Sequence, residues 1–277
     1  MYVLIYDITH EMMEELKTLA DKVCRIARDA GCFLKEERKK FRLEAVRKKH
    51  THDYVSYVDK ESERRIVVAL RELLPEAGFI AEEGSAVYRD EPYCWVVDPL
   101  DGTTNYIHDN APYCVSIALR SKRELLLGVV YDPCRGECFC AWKGGGAYVN
   151  GVEMAVSSVQ DLEEAFVVAE LPYNSEQYAR TGEHLIHELY GRVAGIRMNG
   201  SAALALCYVA AGRFDAWLEA FIGKWDFSAA ALMVQEAGGK VTDFYGNDDF
   251  MEGHHIIATN GALHPLFVRL AQEVPPF

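Results

Sequence analysis

The chain has 277 residues, of which 50% are hydrophobic and 26% charged. This is ordinary globular composition, long enough to bury a sizeable core without covalent staples. With 29 basic against 42 acidic residues the net charge is −13, which disfavours nucleic acid as a generic electrostatic partner and repels phosphate unless cations intervene.

The opening MYVLIYDITH is too short and too acidic for a secretory leader. No apolar run approaches the roughly 20 residues of a membrane span, so a reducing cytoplasm is the expected compartment. Residues 11–40 place Leu16, Leu19, Ala20, Val23, Ile26 and Ala27 at helical spacing. The charged run KEERKKFRLEAVRKK, 35–49, reads as a solvated helix end and loop. A second helix is predicted over 60–74, with Asp59 as its N-cap. Short apolar runs then predict strands at 78–81, 93–97, 113–120, 125–131, 137–142 and 147–149. Gly144, Gly145 and Gly146 form a turn and not a phosphate loop, because a strand rather than a helix follows.

Beyond residue 160 the elements alternate. Strands at 165–170, 195–198 and 214–218 precede helices at 175–190, 201–211 and 226–237. Strands at 239–243 and 255–259 and a helix at 261–272 complete the chain. The mixture predicts layered sheets and helices in two halves, about 11–150 and 151–277, with no linker long enough to separate independent domains. The eight cysteines are irregularly spaced, and Cys134, Cys138 and Cys140 make no paired zinc pattern.

The chemistry-bearing residues are acids at element ends. Asp98 and Asp101 follow the apolar run CWVV around Pro99, where α/β folds commonly build sites, and Gly102 permits a tight backbone. Thr103 and Thr104 open a short helix whose first amides suit an anion. Glu82 and Glu83 end the strand FIA, and Asp226 begins a helix. Taken singly, Asp59 and Asp226 fit helix N-caps, Glu82 and Glu83 a solvated turn, and Asp98 and Asp101 an Asx-type turn. Brought together, these carboxylates would repel one another unless they bound hard cations. Magnesium takes oxygen ligands and recruits phosphate, so the set points to metal-assisted hydrolysis of a phosphate ester.

The segments AEEG, WVVDPLDGTTNY and NGSAALALCYVAAGRFDAWLEAFIGKWDFSAAALMVQEAGG resemble the magnesium-dependent inositol monophosphatase family, from about Lys48 to residue 260. The resemblance implies a layered α-β-α-β-α fold spanning the whole chain, with both halves sharing one active site. It also implies roles. Glu82 would bind metal and help activate the attacking water. Asp98 would bridge two metals, the Leu100 carbonyl would bind one, and Asp101 and Asp226 would complete the second, giving two to three Mg²⁺ per site. Glu83 would stand behind these ligands or serve a third, weaker metal. Thr103 would hydrogen-bond the water and Asp59 would orient Thr103, while the amides of Gly102 and Thr103 would hold phosphate. Gly200, Ser201, Ala202 and Glu219, with Asp101 and Asp226, would contact the substrate. Lys48 or Lys49 would reach the site from a loop. No nucleophilic side chain is required, so His254 and His255 read as structural.

The sequence departs from the family at Ala81, where glycine is usual before the two glutamates. The expected substrate is myo-inositol-1-phosphate. Thr104-Asn105 stands where bisphosphate nucleotidases typically carry lysine after the first threonine. Fructose-1,6-bisphosphate, histidinol phosphate, 3′-phosphoadenosine-5′-phosphate and NADP stay open as alternatives, as does a regulatory binding protein that keeps the fold. The family further implies a homodimer and lithium sensitivity.

Overall fold

The computed structural model describes residues 10–50, 53–171, 175–252 and 255–273. The helices are α1 (His10–Arg38), α2 (Tyr57–Leu73), α3 (Thr103–Ile107), α4 (Ser175–Leu189), α5 (Ala202–Ala210), α6 (Lys224–Glu236) and α7 (His264–Gln272). The N-terminal strands are β1 (Arg47–His50), β2 (Asp53–Val55), β3 (Gly78–Ala81), β4 (Tyr93–Asp101), β5 (Cys114–Ser121), β6 (Leu125–Asp132), β7 (Glu137–Trp142), β8 (Ala147–Val149) and β9 (Val152–Glu153). The later strands are β10 (Phe166–Ala169), β11 (Gly195–Arg197), β12 (Ala216–Ala220), β13 (Lys240–Thr242) and β14 (His255–Thr259).

Strands β3 to β9 form a sheet in chain order, parallel only between β3 and β4. A second sheet runs β11-β10-β12-β14-β13, with β10 parallel to both β11 and β12. Helices α1 and α2 cover the outer face of the first sheet, α5 and α6 fill the space between the sheets, and α4 and α7 cover the second. The order of layers is α-β-α-β-α, as the resemblance implied.

The patterns of burial explain these positions. Helix α1 buries one stripe, Leu16, Ala20, Val23, Ala27, Ala30 and Leu34, and leaves its other faces to solvent. In α5 every residue from Ala202 to Ala210 is buried, and α6 is buried from Phe227 to Val234. Helices apolar on all sides belong between two sheets. Gly128 on β6 permits the close approach of α6, because an added Cβ would collide with the Ala229 carbonyl. Gly128→Ala should therefore cost about 1–3 kcal/mol, seen as a lower urea midpoint with an unchanged slope.

Four details depart from the sequence reading. The charged segment is not all helix end and loop: α1 stops at Arg38, and Arg47–His50 pairs with β2 as an antiparallel ribbon. Asp98 and Asp101 lie inside β4 rather than beyond it, with Pro99 at a register shift between them. Proline is tolerated there because the ladder is interrupted at that point. Ser56, not Asp59, caps α2; Asp59 is the third helical residue and accepts the Ser56 backbone N–H at 2.9 Å. Asp226 likewise stands three residues after the N-cap Gly223, whose N–H it accepts at 2.8 Å.

Candidate metal centre

The end of one strand and the start of one helix converge on one point. β4 delivers Asp98 and Asp101, and the first turn of α6 delivers Asp226. One oxygen from each of these three carboxylates lies within 4.8 Å of the other two. Asp98 is 1% exposed and Asp101 7%, so water does little to screen the repulsion. Burial, then the charges of Glu82, Asp101 and Asp226, hold the Asp98 carboxyl well above the usual carboxylate range. Asp226 is raised as well, by burial and by Asp101 and Glu82. Burial lifts Asp101 to about 6, although donors from Ser201, Ala203 and Cys114 oppose the rise.

Each carboxylate is oriented by the backbone or by a neighbour. Asp98 Oδ1 accepts the Leu100 N–H at 2.9 Å. Asp101 Oδ2 accepts the Ser201 hydroxyl at 2.6 Å, the Ala203 N–H at 2.9 Å and the Cys114 thiol at 3.6 Å. That oxygen is saturated, which leaves Asp101 Oδ1 for other partners. Ser201, expected to touch substrate, lines the adjacent cavity but gives its hydrogen to Asp101.

The residues fit a hard cation. The converging donors are oxygens, and Leu100 stands between Asp98 and Asp101 at the strand's register shift, its carbonyl accepting the Thr103 hydroxyl. Cys114 is a poor ligand, since burial and nearby carboxylates push its thiol up and keep it protonated. Asp98, Asp101, Asp226 and Leu100 would hold such ions, with Glu82 at their edge.

Thr103 and Asp59 lie side by side. The Thr103 hydroxyl lies 3.3 Å from Asp59 Oδ1 and 3.0 Å from the Leu100 carbonyl oxygen. Asp59 Oδ2 is held by the Ser56 hydroxyl at 2.7 Å. Gly102 caps α3 with φ at +85°, and an added Cβ would sit 2.9 Å from the Pro112 carbonyl oxygen and 3.1 Å from that of Gly200. Only glycine fits both the sign of φ and the space.

A cavity of about 240 Å³ opens beside the carboxylates. Asp101, Asp226, Gly200, Ser201, Ala202 and Glu219 line it, together with Asn105, Glu170 and Ile222. Glu219 is not an exposed strand-end acid: it lies within β12, 9% exposed, and burial with the charges of Glu170, Asp226 and Asp101 raises its carboxyl well above normal. Lys48 and Lys49 lie on β1, but their side chains, like all of His254, are outside the described residues. His255 Nδ1 accepts the Phe221 N–H at 3.3 Å, on the second sheet.

Four residues had no structural role in the sequence reading. Glu63 is fully buried and accepts the N–H groups of Glu83 at 2.7 Å and Ser85 at 2.8 Å, which fixes the turn carrying Glu82. Ser62 donates to the Pro99 carbonyl at 3.1 Å. Their signal was present: Asp59, Ser62 and Glu63 share the buried face of α2 with Ile66. Asn105 bridges the Pro112 and Asn199 carbonyls at 2.8 and 3.1 Å, and Glu170 accepts the N–H groups of Asn199 at 2.6 Å and Gly200 at 3.0 Å. Both bind partners distant in sequence, and no local pattern marks them. Glu63→Gln replaces an acceptor with a donor facing an N–H. Amide exchange at Glu83 or Ser85 should accelerate about tenfold or more, the cost of one buried hydrogen bond, as read by native-state hydrogen exchange.

Comparison with known proteins agrees with this geometry. A model described as "Inositol monophosphatase family" matches residues 15–275. The chain is 41% identical over 258 residues to a Pseudomonas aeruginosa protein named Nus factor SuhB, covering 91% of this chain and 95% of that protein. An Escherichia coli protein of the same name is 40% identical over 237 residues, 85% of this chain and 89% of its own. Among solved structures, the extragenic suppressor protein suhB of Bartonella henselae superposes with a TM-score of 0.87 at 35% identity, covering 92% of this chain and 99% of that one. The Thermotoga maritima IMPase superposes with a TM-score of 0.84 at 33% identity, covering 92% and 96%. The chain belongs to the inositol monophosphatase family.

Proposed function

We propose that this protein is a magnesium-dependent phosphomonoesterase, acting on a small polyol phosphate such as myo-inositol-1-phosphate and releasing the alcohol and inorganic phosphate. The observation that carries the reading is the buried meeting of Asp98, Asp101 and Asp226 beside a cavity of substrate size. Family membership supports it.

Asp98, Asp101, Asp226, the Leu100 carbonyl and Glu82 would hold two to three Mg²⁺. When bound, these ions supply positive charge that acidifies water and stabilises the leaving oxygen. The rest falls to the protein. Asp59 accepts the Thr103 hydroxyl hydrogen, so Thr103 Oγ1 presents lone pairs to the attacking water. Glu82 takes the proton from that water. The water oxygen forms a bond to phosphorus, the ester P–O bond breaks, and the departing alkoxide takes a proton from a solvent water in the open cavity, while the proton on Glu82 is returned to solvent. The amides of Gly102 and Thr103 hold the phosphate, being first-turn donors without intrahelical acceptors. Glu219 and the backbone of Gly200 and Ala202 receive the alcohol.

The test is phosphate release with Mg²⁺, and with chelator, from inositol-1-phosphate, fructose-1,6-bisphosphate, histidinol phosphate, 3′-phosphoadenosine-5′-phosphate and NADP. The reading requires chelator-sensitive turnover, best on inositol-1-phosphate. Best turnover of another ester keeps the chemistry and replaces the substrate; no turnover of any contradicts the reading.

The relatives named Nus factor SuhB support a second reading, a regulatory binding role carried on the same fold. Under it, Asp98→Asn would leave the biological role intact while removing turnover, and complementation by that variant separates the two. Homodimerisation, cytoplasmic location and lithium inhibition follow from the family resemblance. Light scattering, fractionation and a lithium titration test them in turn. No described helix is long and apolar enough to cross a membrane.

A further inference from the structure

Helix α2 packs against β4, and the buried face it turns inward carries three polar residues. Asp59, Ser62 and Glu63 stand at i, i+3 and i+4 and are 1%, 0% and 0% exposed, so bulk water does not compete for their bonds. Each holds a different segment of the candidate centre. Asp59 lies 3.3 Å from the Thr103 hydroxyl at the start of α3. Ser62 donates to the Pro99 carbonyl at 3.1 Å, and the N–H of the same peptide, that of Leu100, donates to Asp98 Oδ1 at 2.9 Å. That peptide is therefore fixed at both of its polar ends. Glu63 uses both oxygens on the turn after β3: Oε2 accepts the Glu83 N–H at 2.7 Å and Oε1 the Ser85 N–H at 2.8 Å. The Glu82 N–H donates to the Val97 carbonyl at 3.2 Å, which ties the same turn to β4. The helix is itself anchored, with Val58, Ile66, Val67 and Leu70 buried and a capping box between Ser56 and Asp59 closing its first turn. Neither Ser62 nor Glu63 belongs to the converging carboxylates, and neither lines the cavity.

We propose that Ser62 and Glu63 are positioning residues that fix the size of the metal centre and thereby select Mg²⁺ over Ca²⁺. This rests on the magnesium reading of the centre and deepens it. Mg²⁺ demands near-octahedral oxygens at about 2.0–2.1 Å, whereas Ca²⁺ takes about six to eight oxygens at roughly 2.3–2.6 Å in looser geometry. Ligands carried on fixed peptides cannot spread by the few tenths of an ångström that the larger ion needs. Removing the Ser62 hydroxyl frees the Pro99–Leu100 peptide to rotate, and with it Asp98 and the Leu100 carbonyl. Glu63→Gln sets a donor against one of the two N–H groups and loosens the turn that carries Glu82. Each change relaxes the centre without removing a ligand. It therefore penalises the ion that needs strict geometry and spares the one that adapts.

The experiment titrates Mg²⁺ and, separately, Ca²⁺ into metal-stripped wild type, Ser62→Ala, Ser62→Thr and Glu63→Gln by calorimetry, with a melting curve for each protein. Wild type should bind Mg²⁺ the more tightly. In Ser62→Ala and Glu63→Gln the Mg²⁺ affinity should fall about tenfold or more, while that for Ca²⁺ changes by less than about threefold, so the preference shrinks. Ser62→Thr keeps the hydroxyl and should keep the preference. A merely structural role would lower both affinities in parallel, and that result overturns the inference. Equal binding of the two ions by wild type also overturns it, as does a preference undiminished in both Ser62→Ala and Glu63→Gln. Failure of wild type to bind either ion removes the magnesium reading, and the inference with it. The two variants act on separate segments, so one that does not fold leaves the other to decide.

Discussion

Asp98→Asn is expected to reduce Mg²⁺-dependent phosphate release on the order of 10³-fold while raising the thermal stability of the metal-free protein. The two effects have opposite signs for one physical reason. Asp98 is 1% exposed, and its oxygen, with those of Asp101 and Asp226, lies in a group no more than 4.8 Å apart. Without a cation these charges repel in a poorly screened pocket, and burial with the neighbouring carboxylates raises the Asp98 carboxyl well above its ordinary range. Asparagine removes one charge and keeps Oδ1 as acceptor for the Leu100 N–H. Relief of about 1–3 kcal/mol would follow, or a melting-point rise of roughly 2–4 °C per kcal/mol for a chain of this size. With metal present the sign should reverse, since a carboxylate proposed to hold the ion has gone. Calorimetry with and without Mg²⁺, beside a phosphate-release assay, measures all three quantities. Loss of activity accompanied by a lower metal-free melting point would mean that Asp98 is a structural acid.

The second large effect is on pH. Asp101 is raised from an ordinary 3.8 to about 6, and burial with nearby carboxylates raises Asp98, Asp226 and Glu219 well above their ordinary values. The folded metal-free protein therefore binds more protons than the unfolded chain above pH 4. Stability falls as pH rises whenever the native state holds the extra protons. With respect to this site the metal-free protein should be most stable below about pH 4, under the unfolded value of 3.8, and should lose that stability as pH rises through 6 and beyond. Magnesium binding runs the other way, because the ligands must be deprotonated before they coordinate. Its affinity should climb steeply across the same range, and at 100 times the dissociation constant binding should add about 2.7 kcal/mol. Melting curves from pH 4 to 8, with and without Mg²⁺, should converge in acid and separate towards neutrality. Parallel curves would show that these carboxylates do not titrate with metal.

Much of this was legible in the sequence because it is local. Amphipathic α1 and the alternation of short apolar runs located the elements to within a few residues, and the acids stood out because each ends or begins an element. The all-round burial of α5 and α6 was visible in SAALALCYVAA and DFSAAALMV. Convergence was not visible: nothing near Asp226 says that Asp98 lies beside it, and only the resemblance brought them together. The β1–β2 ribbon was hidden because charge dominates Arg47–His50 and propensity gives no strand signal there. Pro99 suggested a turn because proline lacks a ladder donor, whereas the structure accommodates it at a register shift within β4. Glu63, Asn105 and Glu170 were missed for a common reason. Each bonds to backbone groups elsewhere in the chain, and a single buried acid or amide has no sequence signature of its own.

The central claim is that the Asp98–Asp101–Asp226 centre holds magnesium and that this metal enables phosphoester hydrolysis. The most direct measurement titrates Mg²⁺ into metal-stripped wild-type and Asp98→Asn protein, following binding by calorimetry and phosphate release from inositol-1-phosphate in the same samples. Saturable binding to wild type that tracks the rise in turnover, with both lost in the variant, is the result expected. Turnover independent of Mg²⁺, or binding undiminished in Asp98→Asn, would contradict it.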